Sequence, residues 1–170
     1  EGMPVIDDPI SMIRCTNKVF LMELLGQNQV PTPPTVMLAD VADLPRAIDE
    51  LGLPLVVKIP DGSFSRGVHK VSTPEEFKRV AEELFEETDL LLAQKFLPTE
   101  FDWRIGVLSG EPLFACQYRM ARGHWQIVKH RPDGTAREGG FKTFALEQTP
   151  RDQAARAVFP GRVLVQAVEL

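Results

Sequence analysis

Apolar and polar positions along the chain follow one rhythm up to about residue 97 and another after it. In the first stretch, helical spacings alternate with short buried runs. Thr16 is placed to cap a helix reaching about Gly26, in which Val19, Phe20, Met22, Leu24 and Leu25 favour a buried face. "VPTPPTVML" reads as a stiff linker followed by a short strand. Asp40 to Leu51 has helical spacing, with Gly52 as its stop. The β-branched run Leu55 to Ile59 predicts a buried strand, and Val68 to Val71 a shorter one. Thr73-Pro74-Glu75-Glu76 has the form of a capping box with proline in the first turn. The helix it starts sets Phe77, Val80, Ala81, Leu84 and Phe85 on one side, and Leu90 to Leu97 reads as a further buried strand.

Beyond this point the period becomes two. Phe101, Trp103, Ile105 and Val107 alternate with Asp102, Arg104, Gly106 and Leu108. After a Ser109-Gly110-Glu111-Pro112 turn, Phe114, Cys116, Tyr118 and Met120 share one face, with Gln117 and Arg119 on the other. The pattern predicts an antiparallel hairpin whose exposed face carries Asp102, Arg104, Gln117 and Arg119. Trp125 to Lys129 is a candidate strand, "RPDGTAREGG" a polar, mobile loop, and Thr149 to about Val158 a helix that Pro160-Gly161 interrupts. Internal repeats and low-complexity tracts are absent from the sequence. The fold class is α+β.

Composition narrows the function more than the fold. At 170 residues the chain suits one domain or two small lobes, and 44% hydrophobic with 25% charged residues is ordinary for a globular core. A net charge of −5 argues against a protein that tracks a nucleic-acid backbone, though not against a small anion held by a local basic site. Cys15 and Cys116 each sit in apolar patterns and read as reduced core thiols of a cytoplasmic protein. His69, His124 and His130 show no metal-ligand spacing. The sequence has no apolar run near the roughly 20 residues of a membrane span and no signal-peptide pattern. Glu1-Gly2-Met3 lies against an apolar Pro4-Val5-Ile6 run and the last residues, "VLVQAVEL", lie inside an apolar pattern. Both ends read as cuts from a longer protein.

The candidate chemistry centres on "VVKIPDGSFSRGVHKV", residues 56 to 71, a strand lysine followed by a glycine and serine loop. Gly62 and Gly67 have the spacing of a Walker loop, but Val68-His69 follow in a strand-like context where such a loop needs lysine, a hydroxyl residue and a helix. The protein-kinase order also fails, because there the glycine loop precedes the lysine. By itself the segment is equally an ordinary β-turn beside a surface lysine. The motifs "RCTNK", "VPTPPT", "PLVVK", "DGSFSRGV", "LLLAQKFL" and "FDWRIGVLSGEPLFACQYR", taken in order, cover nearly the whole chain. In that order they resemble the ATP-grasp superfamily, in particular RimK-like carboxylate–amine ligases.

The resemblance implies a small α/β lobe and an antiparallel sheet lobe with nucleotide between them. It divides the chain into a lead-in over residues 1–39, a small lobe over 40–97 and a larger lobe over 98–170 that is incomplete at its end. It implies that Lys18 and Lys58 approach the ATP phosphates, and that the loop from Gly62 to Gly67, with Ser63, Ser65 and Arg66, folds over them. Gln94, Lys95, Phe96 and Leu97 would offer backbone groups to the adenine edge, Asp102 would meet the ribose, and Trp125 and Lys129 are further nucleotide candidates. Arg104 and Arg119 would be the catalytic pair, stabilising an acyl phosphate or holding the acceptor carboxylate, and would point the same way if the strand register allows. Each of these residues also has a plain reading. Lys18 is then a surface helix lysine, Asp102 a cross-strand ion pair, the arginines solvated charges, and Trp125 a packing residue. Arg137 and Gly139-Gly140 fall in a loop similar to an "ARGG" stretch of the family, with Glu138 intervening.

The implied reaction is ATP-dependent amide formation between a carboxylate and an amino acid or peptide amine, with magnesium as cofactor. Homo-oligomer formation is compatible with it, and neither nucleic acid nor membrane is expected as a partner. The family's magnesium ligands include a Glu-x-Asn segment, and none occurs after residue 150, so the metal ligands are expected outside this chain. The chain alone is then expected to be inactive. The rival expectation is a non-catalytic nucleotide-binding or protein-interaction module that kept the fold and lost the chemistry.

Overall fold

The computed structural model describes residues 9–61, 67–108, 111–131, 133–144, 158–159 and 162–163. The chain divides into two compact units, Met12–Leu97 and a second made of Pro98–Leu170 with Glu1–Ser11.

Two short helices, α1 (Pro9–Thr16) and α2 (Lys18–Gln27), come first. Asn17, not Thr16, opens α2: its Oδ1 accepts from the N–H groups of Val19 at 3.0 Å and Phe20 at 3.1 Å. Thr16 instead ends α1, its hydroxyl donating to the Met12 carbonyl at 2.7 Å. The asparagine wins because its amide caps α2 and at the same time donates through Nδ2 to Asp61 Oδ1 at 2.8 Å. No residue of α2 is fully buried and Phe20 is 45% exposed. Val19, Phe20, Leu21, Met22, Leu24 and Leu25 ring the helix, so no single face can be covered as the spacing predicted.

Strand β1 (Thr35–Leu38) leads through a 3-10 turn, Val41–Asp43, into α3 (Leu44–Leu51). Asp40 accepts from Ala42 N–H at 2.7 Å and Asp43 returns a carboxylate to Ala39 N–H at 2.9 Å, which tightens the start of the predicted helix into that turn. Gly52 ends α3 at φ 72°, as a helix-stop glycine should. Next come β2 (Leu55–Lys58), β3 (Val68–Val71), α4 (Pro74–Phe85) and β4 (Leu91–Lys95). Thr73 caps α4 by accepting from Glu76 N–H at 3.2 Å, but Glu76 reaches past it to take the Ser72 N–H at 2.8 Å, so the box closes one residue early.

These four strands form one antiparallel sheet in the order β1-β4-β2-β3. Val36, Leu38, Leu55, Val57, Val71, Leu91 and Ala93 line one face and form a core with Ala47 and Leu51 of α3 and Phe77, Val80, Ala81 and Leu84 of α4. The period of two therefore puts Thr35, Met37, Val56, Lys58, Lys70 and Gln94 on the opposite face.

The second unit contains β5 (Phe101–Leu108), β6 (Glu111–Arg119), β7 (Val128–His130), β8 (Ala136–Glu138), β9 (Phe141–Phe144), β10 (Val158–Phe159) and β11 (Arg162–Val163). Its sheets are β5-β6-β9, β7-β8 and β10-β11. The predicted hairpin is present as β5 and β6. The expected strand at Trp125 begins only at Val128, and "RPDGTAREGG" is not all loop, because Ala136–Glu138 returns as β8 against β7. Most of the helix expected from Thr149 lies outside the described residues, and Val158–Phe159 pairs as β10 with β11.

Candidate functional site

Lys58 ends β2 on the face away from the core and is only 7% exposed. Its ammonium donates to Gln94 Oε1 at 2.8 Å, and among the described residues no carboxylate pairs with it. Burial pushes its pKa down from 10.5 to about 8, and the charge of Lys18 pushes in the same direction. Lys18 is brought there by the start of α2. Its backbone N–H donates to the Pro60 carbonyl at 3.0 Å and its Nζ lies 3.4 Å from the same oxygen. With the Asn17–Asp61 bond beside it, the chain just past Lys58 is tied to the first turn of α2. The two lysines that the sequence singled out thus meet on one side of the sheet.

The loop that follows is closed by Ile59 N–H donating to the Gly67 carbonyl at 3.1 Å. Gly67 has φ 63°, which favours glycine, and a Cβ there would lie 2.6 Å from the Ile59 side chain and force it to shift. Gly62, Ser63, Ser65 and Arg66 lie outside the described residues.

At the end of β4, Lys95 is exposed and its N–H donates to the Pro34 carbonyl at 2.9 Å. The Phe96 N–H donates to the Pro54 carbonyl at 3.4 Å, its ring lies under Lys70 Nζ at 3.9 Å, and Leu97 is exposed. Gln94 contributes a side chain where the resemblance implied only backbone. Beyond Lys58 it reaches Thr35 Oγ1 at 2.9 Å. Thr35 and Lys70 were missed as site residues, although their positions opposite Gln94 and Val56 put them on the Lys58 face once the register is known.

The second unit holds Asp102, Arg104, Arg119, Trp125 and Lys129. Asp102 is 7% exposed and accepts from Thr99 Oγ1 at 3.3 Å. Burial raises its pKa, against the lowering effects of the Thr99 bond and the Arg104 charge. The residue opposite it is Tyr118, so the cross-strand ion pair is not formed. Arg104 lays its guanidinium over the Tyr118 ring at 4.2 Å, and Tyr118 stacks on Phe141 at 5.6 Å. Its Nε is buried and has no hydrogen-bond partner among the described residues.

The register separates the two arginines. Arg104 pairs with Cys116 and Asp102 with Tyr118, whereas Arg119 pairs with Phe101 and Gln117 with Trp103. Residues directly opposite share a face, so Asp102 and Arg104 lie on the Cys116 and Tyr118 side, and Gln117 and Arg119 lie with Phe101 and Trp103. The expectation of one polar face carrying all four is corrected. Trp125 is half-buried with its ring 6.0 Å from that of His124, and Lys129 is exposed on β7 directly opposite Arg137. At Gly139 a Cβ would collide with the carbonyl oxygen of Arg119, and Gly140 has φ 84° while its carbonyl accepts from Arg119 N–H at 2.9 Å. This glycine pair lets the chain pass hard against the end of β6.

The sequence profile of the RimK-like ATP-grasp domain matches residues 15–132. The chain belongs to this family. The RimK-like chain is 30% identical over 132 residues to the alpha-aminoadipate–LysW ligase LysX of Saccharolobus solfataricus, covering 74% of this chain and 47% of that protein. The structure of D-cycloserine synthetase DcsG superposes with a TM-score of 0.67 at 20% identity, over 88% of this chain and 51% of the other. A D-alanine–D-alanine ligase from Bacillus anthracis complexed with ATP superposes with a TM-score of 0.56 at 27% identity, over 65% of this chain and 37% of the other. The fold is the α+β ATP-grasp fold. The RimK-like chain spans less than half the length of the curated relative.

Proposed function

We propose that this RimK-like domain is the nucleotide-binding part of an ATP-dependent carboxylate–amine ligase. The observation that carries the reading is the approach of Lys18 to a buried Lys58 whose side-chain partner among the described residues is the neutral Gln94 amide. Burying the Lys58 ammonium beside a second positive charge costs free energy, as its lowered pKa records, and a polyanion such as the ATP triphosphate offsets that cost when it binds. The relatives' ligase names and the ATP-bound neighbour point to the same ligand.

In the proposed reaction a substrate carboxylate oxygen attacks the γ-phosphorus. The bond to the β–γ bridging oxygen breaks, and ADP leaves. The amine nitrogen then attacks the acyl carbon, and the C–O bond breaks with its electrons going to inorganic phosphate. The amine gives up a proton and the amide remains. Lys18 and Lys58 hold phosphate oxygens, the backbone at Leu97, past the engaged N–H groups of Lys95 and Phe96, meets the adenine, and Asp102 accepts from the ribose. Arg104 and Arg119 project from opposite sheet faces, so they serve different groups: Arg104, with Nε unpaired among the described residues and its plane fixed on Tyr118, is the better candidate for a developing oxyanion. ATP-grasp ligases use ATP with magnesium. Among the described residues no three His, Cys, Asp or Glu side chains converge as metal ligands.

Calorimetry with ATP tests the reading. The 170-residue chain is expected to bind ATP, and Lys58→Ala is expected to weaken binding roughly 10- to 100-fold, the range of a charge-assisted contact. Absence of ATP binding by the unaltered chain, or equal affinity of the two, overturns it.

A further inference from the structure

Three strands of the first sheet carry a directional chain of hydrogen bonds on the face away from the core. Lys58 Nζ donates to Gln94 Oε1 at 2.8 Å, Gln94 Nε2 donates to Thr35 Oγ1 at 2.9 Å, and Thr35 Oγ1 donates to the Pro33 carbonyl at 2.9 Å. The chemistry allows one direction only. An ammonium has no lone pair to offer, so the amide must turn its oxygen to Lys58 and its NH2 to Thr35. Thr35 then has to accept, and its own proton goes to Pro33.

We infer that Thr35 is a positioning residue that fixes the flip state of Gln94 and, through it, the place of the Lys58 ammonium. The inference rests on the nucleotide-binding reading above for its consequence, though not for its geometry. It gives the "VPTPPT" segment a role beyond that of a stiff linker. Pro33 and Pro34 deliver Thr35 in register with Gln94, and Pro33 supplies the terminal acceptor. Without the threonine hydroxyl, Gln94 can rotate its NH2 toward Lys58 and set donor against donor. Among the described residues the charged groups beside this face are Lys18 of α2, Lys70 of β3 and Asp61, whose carboxylate accepts from Asn17; the Gln94 oxygen is the partner that holds the Lys58 ammonium in place.

The test compares Thr35→Val, which keeps the shape of the side chain, with Thr35→Ser, which keeps the hydroxyl. Two quantities are measured on the 170-residue chain: the titration midpoint of the Lys58 amine, by NMR of labelled lysine without nucleotide, and the affinities for ATP and for adenosine. In Thr35→Val the midpoint is expected to fall by roughly half a unit or more. ATP binding is expected to weaken about 3- to 10-fold with adenosine binding unchanged, the loss of one ordinary hydrogen bond. Thr35→Ser is expected to restore both. A folded Thr35→Val chain with an unmoved Lys58 midpoint overturns the inference, as does a Thr35→Ser chain that behaves like Thr35→Val. Failure of all variants to bind ATP bears on the nucleotide reading, and the lysine titration still decides the role of Thr35.

Discussion

The ammonium of Lys18 lowers the pKa of Lys58, although one stands on the first turn of α2 and the other ends β2. With a folded pKa of about 8 against 10.5, Lys58 makes stability depend on pH in a definite sense. Below about pH 8 both states hold the proton, and the folded state bears the full cost of burying it. Between 8 and 10.5 the unfolded chain holds the proton and the folded chain sheds it, so this contribution rises with pH, by roughly 3 kcal/mol in all. Lys58→Met is expected to exceed the parent in stability at pH 7 by about 1–2 kcal/mol, after roughly 1 kcal/mol is lost by orphaning the Gln94 oxygen. Its advantage should disappear by pH 10.5. Urea unfolding across that range measures the difference, and a constant gap would show that Lys58 does not titrate as described.

Asp102 acts in the acid range. Its folded pKa is raised, chiefly by burial, so its contribution is complete at pH values below the ordinary carboxylate range and is lost as pH climbs through the raised value. Asp102→Asn removes the buried charge and keeps an oxygen for the Thr99 hydroxyl. It is expected to melt higher than the parent at pH 7 and no higher at pH 3, and to bind ATP more weakly because the proposed ribose contact loses its charge. Scanning calorimetry at the two pH values reads the first effect.

Gly139 is pressed against the Arg119 carbonyl, where the obstacle is backbone and cannot swing aside. Gly139→Ala is expected to cost about 1–3 kcal/mol or more, the usual range for overpacking. At Gly106 the neighbour is the Phe114 ring, a side chain that can move, so Gly106→Ala should cost less. Paired denaturation curves give the ranking.

Thr73→Ala removes the cap of α4 and is expected to cost about 1 kcal/mol. Thr73→Ser should recover most of it. Because Glu76 bonds Ser72 instead of the Thr73 backbone, Glu76→Ala in the Thr73→Ala background should still add a loss of its own. Strict dependence of one on the other in a double-mutant cycle would contradict that arrangement.

The places of Lys58 and Gln94 could be read from the sequence because local pattern marks them: a β-branched run, a chain reversal, a second buried strand. Lys18 could be found only through the order of motifs, since nothing in α2 itself distinguishes its lysine. The face of Arg119 was out of reach. It depends on how the hairpin pairs, and the register shifts between Gly106 and Val107, which alternation alone does not reveal. Thr35 was hidden for a related reason: its partner lies in β4, far along the sequence, and only the order β1-β4-β2-β3 makes them neighbours. The Asn17 cap was masked by an equally good capping residue one position earlier.

In β2, β4 and β1 the neighbours Val57 and Lys58, Ala93 and Gln94, and Val36 and Thr35 divide two duties by parity: the first of each pair belongs to the core and the second to the polar chain. Substitutions can therefore alter one duty and spare the other. A one-residue deletion or insertion within β2 cannot, because it would turn the lysine into the oil and a valine toward the anion. Insertions and deletions in these strands should survive selection only in pairs that restore the parity, while the glutamine, threonine and lysine change singly and by small chemical steps.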